Sequence, residues 1–394
     1  MIVRSPAGAM TLPLALYLLF ASCSQPAKPV PQAKNEEPST PSEEGQRIDD
    51  AAKFLAGIKG RAGGAFQALE EQDAWVQHNT QMEQLWASFE KRQLGPAVEF
   101  YKRELAPLSE SAPFVFYPFG GPDAVYVTTF YPNGKLYVLA GLEPPGSAPQ
   151  AEIFNAKNLA PSLGSLRESV GILRRSFFVT SEMDKQFRGR VTDGLTPVIL
   201  LLLARTGHTI FGIRHVNLTP EGQLEAATQP KPKGVEILFR RPGDKASRKM
   251  YYFSGDVRNP KLEEDPGFLK FVEAQGRSDT FIKSASFLLH WREFTAMRDL
   301  ILRNSNAILQ DDSGVPFRVL KQPDWQMSYF GKYSAPDRPF KSHFQKELHE
   351  AFEAPGNAKA LGFSLGYGYG RRTSHLVFAR RTKASTGSGA GAQR

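Results

Sequence analysis

"FVFYPFGGPDAVYVTTFYPNGKLYVLAGLEP" runs from Phe114 to Pro144, and its middle decides the fold. The first run, Phe114–Phe119, is apolar and ends in a Gly-Gly-Pro turn. The last, Lys135–Leu142, is strand-like and ends at Glu143 before a double proline. Between them the β-branched residues of Ala124–Tyr131 favour a strand, and Asn133-Gly134 can close a hairpin. Pro122-Asp123 can instead start a short helix that Pro132 stops. The first choice gives an antiparallel hairpin, the second a βαβ unit with parallel strands. Periodicity leaves both open. Either arrangement brings Asp123 and Glu143 into one strand-end environment.

Outward from this stretch, helices and strands alternate. Ile48–Leu105 reads as helical: Trp75, Met82, Leu85, Trp86 and Phe89 fall on one stripe, and Gly95-Pro96 marks a break. Ser162–Phe187 repeats apolar residues at helical spacing. Gly194–Leu218 reads as a buried helix, a stop at Gly207 and a strand. Val235–Phe239 and Met250–Phe253 look like an antiparallel pair. Phe268–Glu273, Phe294–Asn304 and Phe344–Phe352 read as helices. The stretch from Leu309 to Leu320 reads as a turn then a strand, and the chain closes with two strands around Arg371-Arg372. The expected architecture is α/β: a mixed sheet flanked by helices, Rossmann-like in its βαβ version, after an N-terminal helical segment. The expected organisation is a signal segment over 1–22, a Pro/Glu-rich disordered tether over 23–47, the helical segment over 48–110, the α/β domain over 111–383 and a disordered tail over 384–394.

The only cysteine, Cys23, ends an apolar run from Met10 to Phe20 that is too short to span a bilayer, which takes about 20 residues. Ala21 and Ser22 precede it. This arrangement resembles the lipobox of bacterial lipoproteins, with Phe20 where that family usually has Leu. The resemblance implies cleavage before Cys23, acylation (palmitate among the chains) at Cys23, and an address in the cell envelope. Ser24 in the next position implies the outer membrane, facing periplasm or surface. Ser24–Arg47 holds five prolines, four glutamates and one large aliphatic residue, Val30, too little apolar surface to order itself. As a coil it spans roughly 25–30 Å.

Composition bounds the remaining classes. Hydrophobic content of 41% supports a sizeable core, and the net charge is +9. No recognition helix, zinc knuckle or RNP-type block points to nucleic acid. The basic clusters suit a solvated surface or an acidic envelope polymer or protein partner. No H-E-x-x-H, Walker A loop or CxxC is present, so neither a metal nor a cofactor is expected. His343 and His349, six apart, do not face one site if helical. "GFSLG" at Gly362–Gly366 matches a nucleophile elbow, but the Gly/Tyr run after Ser364 cannot make its helix. Asp311-Asp312-Ser313-Gly314 places paired carboxylates in a turn, which ordinary turn chemistry also explains.

A Gly-rich turn followed by a carboxylate at the end of the next strand is the layout of a nucleotide-binding βαβ unit. With the closing "LVFARR", it resembles class I methyltransferases over about a third of the chain, although Gly120-Gly121-Pro122 replaces that family's Gly-x-Gly. The whole chain also resembles a group of bacterial lipoproteins carrying YPF-x-GPD, GLEP and QDDSG-x-P blocks. That group implies the envelope address and no activity. The expected function is a lipid-anchored, non-catalytic ligand- or partner-binding protein. The alternative is an envelope enzyme whose degenerate Rossmann-like pocket is lined by Asp123 and Glu143, with Asp311 and Asp312 as further candidates.

Overall fold

A computed structural model describes residues 40–108, 113–173, 194–227, 232–371 and 373–382. The signal segment, Cys23, most of the tether, the arginines at 174, 175, 188 and 190, and the tail over 384–394 lie outside them.

Ala124–Phe130 is a helix, and this settles the ambiguous stretch. The Asp123 side chain caps it by accepting the Tyr126 N–H at 3.1 Å. Its β-branched content is tolerated because Thr128 and Thr129 hydroxyls donate to the carbonyls of Ala124 and Val125. β1 (Phe114–Tyr117) and β2 (Leu136–Gly141) are therefore parallel, with Phe114 opposite Leu136. The hairpin alternative is excluded.

One sheet of eleven strands follows from this unit. The others are β3 (Thr209–Leu218), β4 (Leu224–Ala226), β5 (Gly234–Arg240), β6 (Arg248–Ser254), β7 (Ser278–Ile282), β8 (Ser305–Gln310), β9 (Trp325–Gly331), β10 (Ala358–Lys359) and β11 (His375–Arg381). Their order is β10-β9-β11-β8-β7-β1-β2-β6-β5-β3-β4. The centre, β8-β7-β1-β2-β6, is all parallel. Numbered along the chain those five strands read 5-4-1-2-3, the order of a doubly wound dinucleotide-type sheet, with its switch point between β1 and β7. Antiparallel strands extend both sides, and β11 runs antiparallel between β8 and β9.

The central strands are buried on both faces, so they read as continuous apolar runs. Val115, Tyr117 and Leu139 join the core that also holds the N-terminal helices and the helix Thr196–Arg205. Phe114, Phe116 and Val138 point into the opposite core with Leu300 and Ile301.

The N-terminal helices belong to the same unit as the sheet. Glu43–Leu55 begins inside the stretch assigned to the tether, capped by Ser42. Gly45 lies so close to β3 that a Cβ would sit 2.3 Å from the Phe211 carbonyl oxygen, and Asp49 accepts the Ile210 N–H at 2.8 Å. The ordered body thus starts before Ile48. The stripe on Asp73–Phe89 buries Trp75, Met82, Trp86 and Phe89. The break expected at Gly95-Pro96 is instead a π-helical turn over Glu90–Leu94, which carries the helix past the missing proline N–H.

Two further expectations fail. Phe317–Leu320 is a short helix, not a strand. Gly366–Arg371 is a 3-10 helix, so the chain closes with β11 alone and not with two strands. Among the described residues no helix is long and apolar enough to cross a membrane.

Candidate functional site

Ligands of doubly wound sheets sit outside the carboxyl ends of the parallel strands, near the switch point. In this chain that edge has two halves.

The first half follows β1. Gly120 packs over the Tyr117 ring, where a Cβ would lie 2.5 Å from it. The Gly121 N–H donates to the Ala140 carbonyl of β2 at 3.1 Å. Asp123 is fully buried. Its Oδ1 holds the Tyr126 N–H, and its Oδ2 accepts Lys283 Nζ at 2.6 Å and the Tyr117 hydroxyl at 3.1 Å. Lys283 comes from the end of β7 and is 3% exposed. Its ammonium also lies 4.1 Å from the Tyr126 ring centroid. Burial lowers the Lys283 pKa, and the nearby Asp123 and Asp311 carboxylates oppose that. Burial, then Asp123, hold the Tyr117 pKa well above its usual value. The acid that follows the glycine turn is thus closed inside the protein by this ion pair and the Tyr126 ring.

Glu143, past the end of β2, is half-buried. Its backbone carbonyl accepts the Tyr252 hydroxyl at 2.7 Å. Asp123 and Glu143 follow neighbouring parallel strands and share this edge, but among the described residues no hydrogen bond or ion pair joins them.

The second half lies past β7 and β8. Ser284, Ser286 and Phe287 have φ of 52°, 51° and 56°, the positive-φ non-glycine positions among the described residues. Such positions cost on the order of 1–3 kcal/mol each and need to be held. The Asp311–Ser313 turn holds the start of this segment, and Tyr367 reaches Ser284 and Ser286. Asp311 Oδ2 accepts the Ser284 N–H at 2.8 Å and Ser313 Oγ accepts the Ala285 N–H at 2.7 Å. Tyr367 donates its hydroxyl to the Ser284 carbonyl at 3.0 Å. Asp311 Oδ1 accepts the Ser313 N–H and hydroxyl. Burial, then the neighbouring Asp312, raise the Asp311 pKa.

Asp312 stands between two histidines. His375 Nε2 is 3.3 Å from its Oδ1. Burial, the largest single influence, lowers the His375 pKa, but the charge and hydrogen bond of Asp312, the Thr373 carbonyl and the Asp311 charge together outweigh it and raise it. On the other side, burial pushes the His290 pKa down to about 4, and His343 acts in the same direction. Asp312 Oδ2 and His290 Nε2 are buried without hydrogen-bond partners.

Above this turn is a cavity of about 450 Å³ lined by His290, Trp291, Arg318, His343, Phe344 and Gln345, among others. Trp291 is 54% and Phe344 45% exposed, unlike most large apolar side chains of the body. Phe287, beneath, stacks on His343 with centroids 4.8 Å apart. Lys346 pairs with Glu350 and Glu347 with Lys321. Arg318 has no ion-pair partner among the described residues.

The structure thus brings Asp123 and Asp311 around Lys283, sets Asp312 under the cavity and leaves Glu143 aside. Cys23 lies outside the described residues. "GFSLG" is no elbow: Gly366 enters the 3-10 turn and packs on Asp311. Sequence spacing missed that His343 meets His290 at 5.5 Å between centroids. It also missed Lys283, whose one signal is a charge at the end of the apolar run Thr280–Ile282. Among the described residues no three His, Cys, Asp or Glu side chains converge as a metal centre. Comparisons with protein-family models, with curated proteins and with solved structures gave no match.

Proposed function

We propose that the chain is a membrane-tethered bacterial envelope lipoprotein whose α/β body binds a ligand without transforming it, at the cavity outside β7 and β8. One observation carries the binding reading. Asp123 and Asp311 have both oxygens engaged inside the protein, while Trp291, Phe344 and Arg318 are offered to solvent around a cavity. An unpaired guanidinium calls for a negative charge, and an exposed indole for a flat apolar face. The ligand that fits is an anion with a ring, such as an acidic sugar of an envelope polymer. The antiparallel β11 between β8 and β9 supports the layout resemblance to class I methyltransferases. The acid closed in its ion pair supports a shell of that layout without its cofactor.

The envelope address rests on the lipobox. Cys23→Ala is expected to lose acyl labelling and leave the membrane fraction; unchanged labelling contradicts the address. The binding reading is tested by mass spectrometry of small molecules that co-purify with the protein from its own envelope. An acidic saccharide, retained by wild type and lost from Arg318→Ala, is expected. Recovery of a nucleotide or adenosyl compound contradicts the reading.

A further inference from the structure

A second cavity, of about 330 Å³, lies further along the same edge, over the ends of β2 and β6. Ala140 and Phe253 are register partners on those strands and form its floor. Leu218, Val257, Leu262 and Phe268 wall it. Its volume is at the lower end of small-molecule pockets, about 300–1,000 Å³. The rim is rich in charge, yet every charge on it is matched. Lys233 pairs with Asp265 at 2.8 Å and Lys261 with Glu264 at 2.7 Å. Asp256 takes Arg258 Nε at 2.8 Å. The hydrogen bonds from Lys233 and from Arg258 hold the Asp265 and Asp256 pKa values below the usual range, so these acids stay ionised beside their cations. A charged guest would find no free counter-ion here, in contrast to Arg318 at the other cavity.

We infer that this cavity is a binding site for an uncharged alkyl or acyl chain, separate from the site outside β7 and β8. The apolar floor gives the affinity and the self-neutralised rim excludes head-group charge. The inference does not rest on the reading of the other cavity.

Calorimetric titration of the full chain with a homologous series from hexan-1-ol to dodecan-1-ol tests it. Affinity is expected to rise about fourfold per added methylene until the cavity is full, then level. Decanoate is expected to bind at least tenfold more weakly than decan-1-ol. Val257→Trp and Leu218→Trp, which fill the cavity from different walls, are each expected to abolish binding while keeping the wild-type melting temperature within a few degrees. The inference is overturned if no alcohol binds, if decanoate binds as tightly as decan-1-ol, or if both tryptophan variants bind like wild type.

Discussion

The turn after β1 and the loops after β7 and β8 sit on one edge of one sheet, and both carry carboxylates and aromatic rings. They use them differently. After β1 a glycine turn, an acid and a capped helix supply a phosphate-binding layout, and Lys283 from the neighbouring strand takes up the acid in a buried ion pair. After β7 and β8 the Asp311 carboxylate turns inward to hold the first of three strained residues, and the rings face solvent over a cavity. A glycine turn is therefore not by itself a nucleotide site. What the strand across the switch point contributes decides whether the crevice stays open.

The sharpest way to break this contrast is to remove the plug. Lys283→Met leaves the Asp123 carboxylate buried without its cation, which is expected to cost about 3–5 kcal/mol in urea unfolding. Arg318→Ala, in the open half, is expected to stay within about 0.5 kcal/mol of wild type. Equal costs would erase the distinction.

Acid sharpens it next. Burial pushes the pKa values of His78, His208 and His290 each down to about 4. Unfolded histidine titrates near 6.5, so the unfolded chain binds more protons between those values. The stability these three contribute is fully present above about pH 6.5 and is lost as pH falls towards 4. His375, raised by Asp312, has the opposite sign: its contribution is present below about 6.5 and lost as pH rises through its folded value. His290→Gln is expected to remove on the order of 2 kcal/mol of the loss between pH 6.5 and 4. An unchanged pH–stability slope would show that the ring is not held neutral.

Ser42→Ala, at the cap of the first helix, is expected to cost about 1 kcal/mol, and no effect would return residues 43–47 to the tether. The smallest effect probes the strained loop. Ser284→Gly removes a left-handed serine and a buried hydroxyl without a partner, while leaving its N–H and carbonyl bonds in place. A gain of about 0.5–1 kcal/mol is expected. A loss would show that the loop is not strained.

The legible parts of the fold are those with a strong local period. The stripe from Trp75 to Phe89, the antiparallel β5 and β6, and the helix–Gly207–strand sequence into β3 all follow from spacing and punctuation. Ala124–Phe130 is illegible because β-branched residues and an aspartate cap pull opposite ways, and the parallel register of β1 and β2 decides between them. β8 is hidden by the helix running straight into it at Ser305. The glycines and tyrosines of 366–371 alternate like a strand but turn as a 3-10 helix against Asp311. The site is least legible, because its contacts are remote in sequence. Asp123 meets Lys283 160 residues later, and Asp312 meets His375 63 residues later. The acids are visible as residues; what neutralises them is not.

The central claim is that the anionic ligand enters over β7 and β8 and not over the glycine turn. A crystallographic screen of small anionic and saccharide fragments tests it whatever the native ligand is. The account predicts that bound fragments cluster between Trp291, His343 and Arg318, with the Lys283–Asp123 pair intact. Fragments clustered at Gly120–Asp123, with Lys283 displaced, would contradict it.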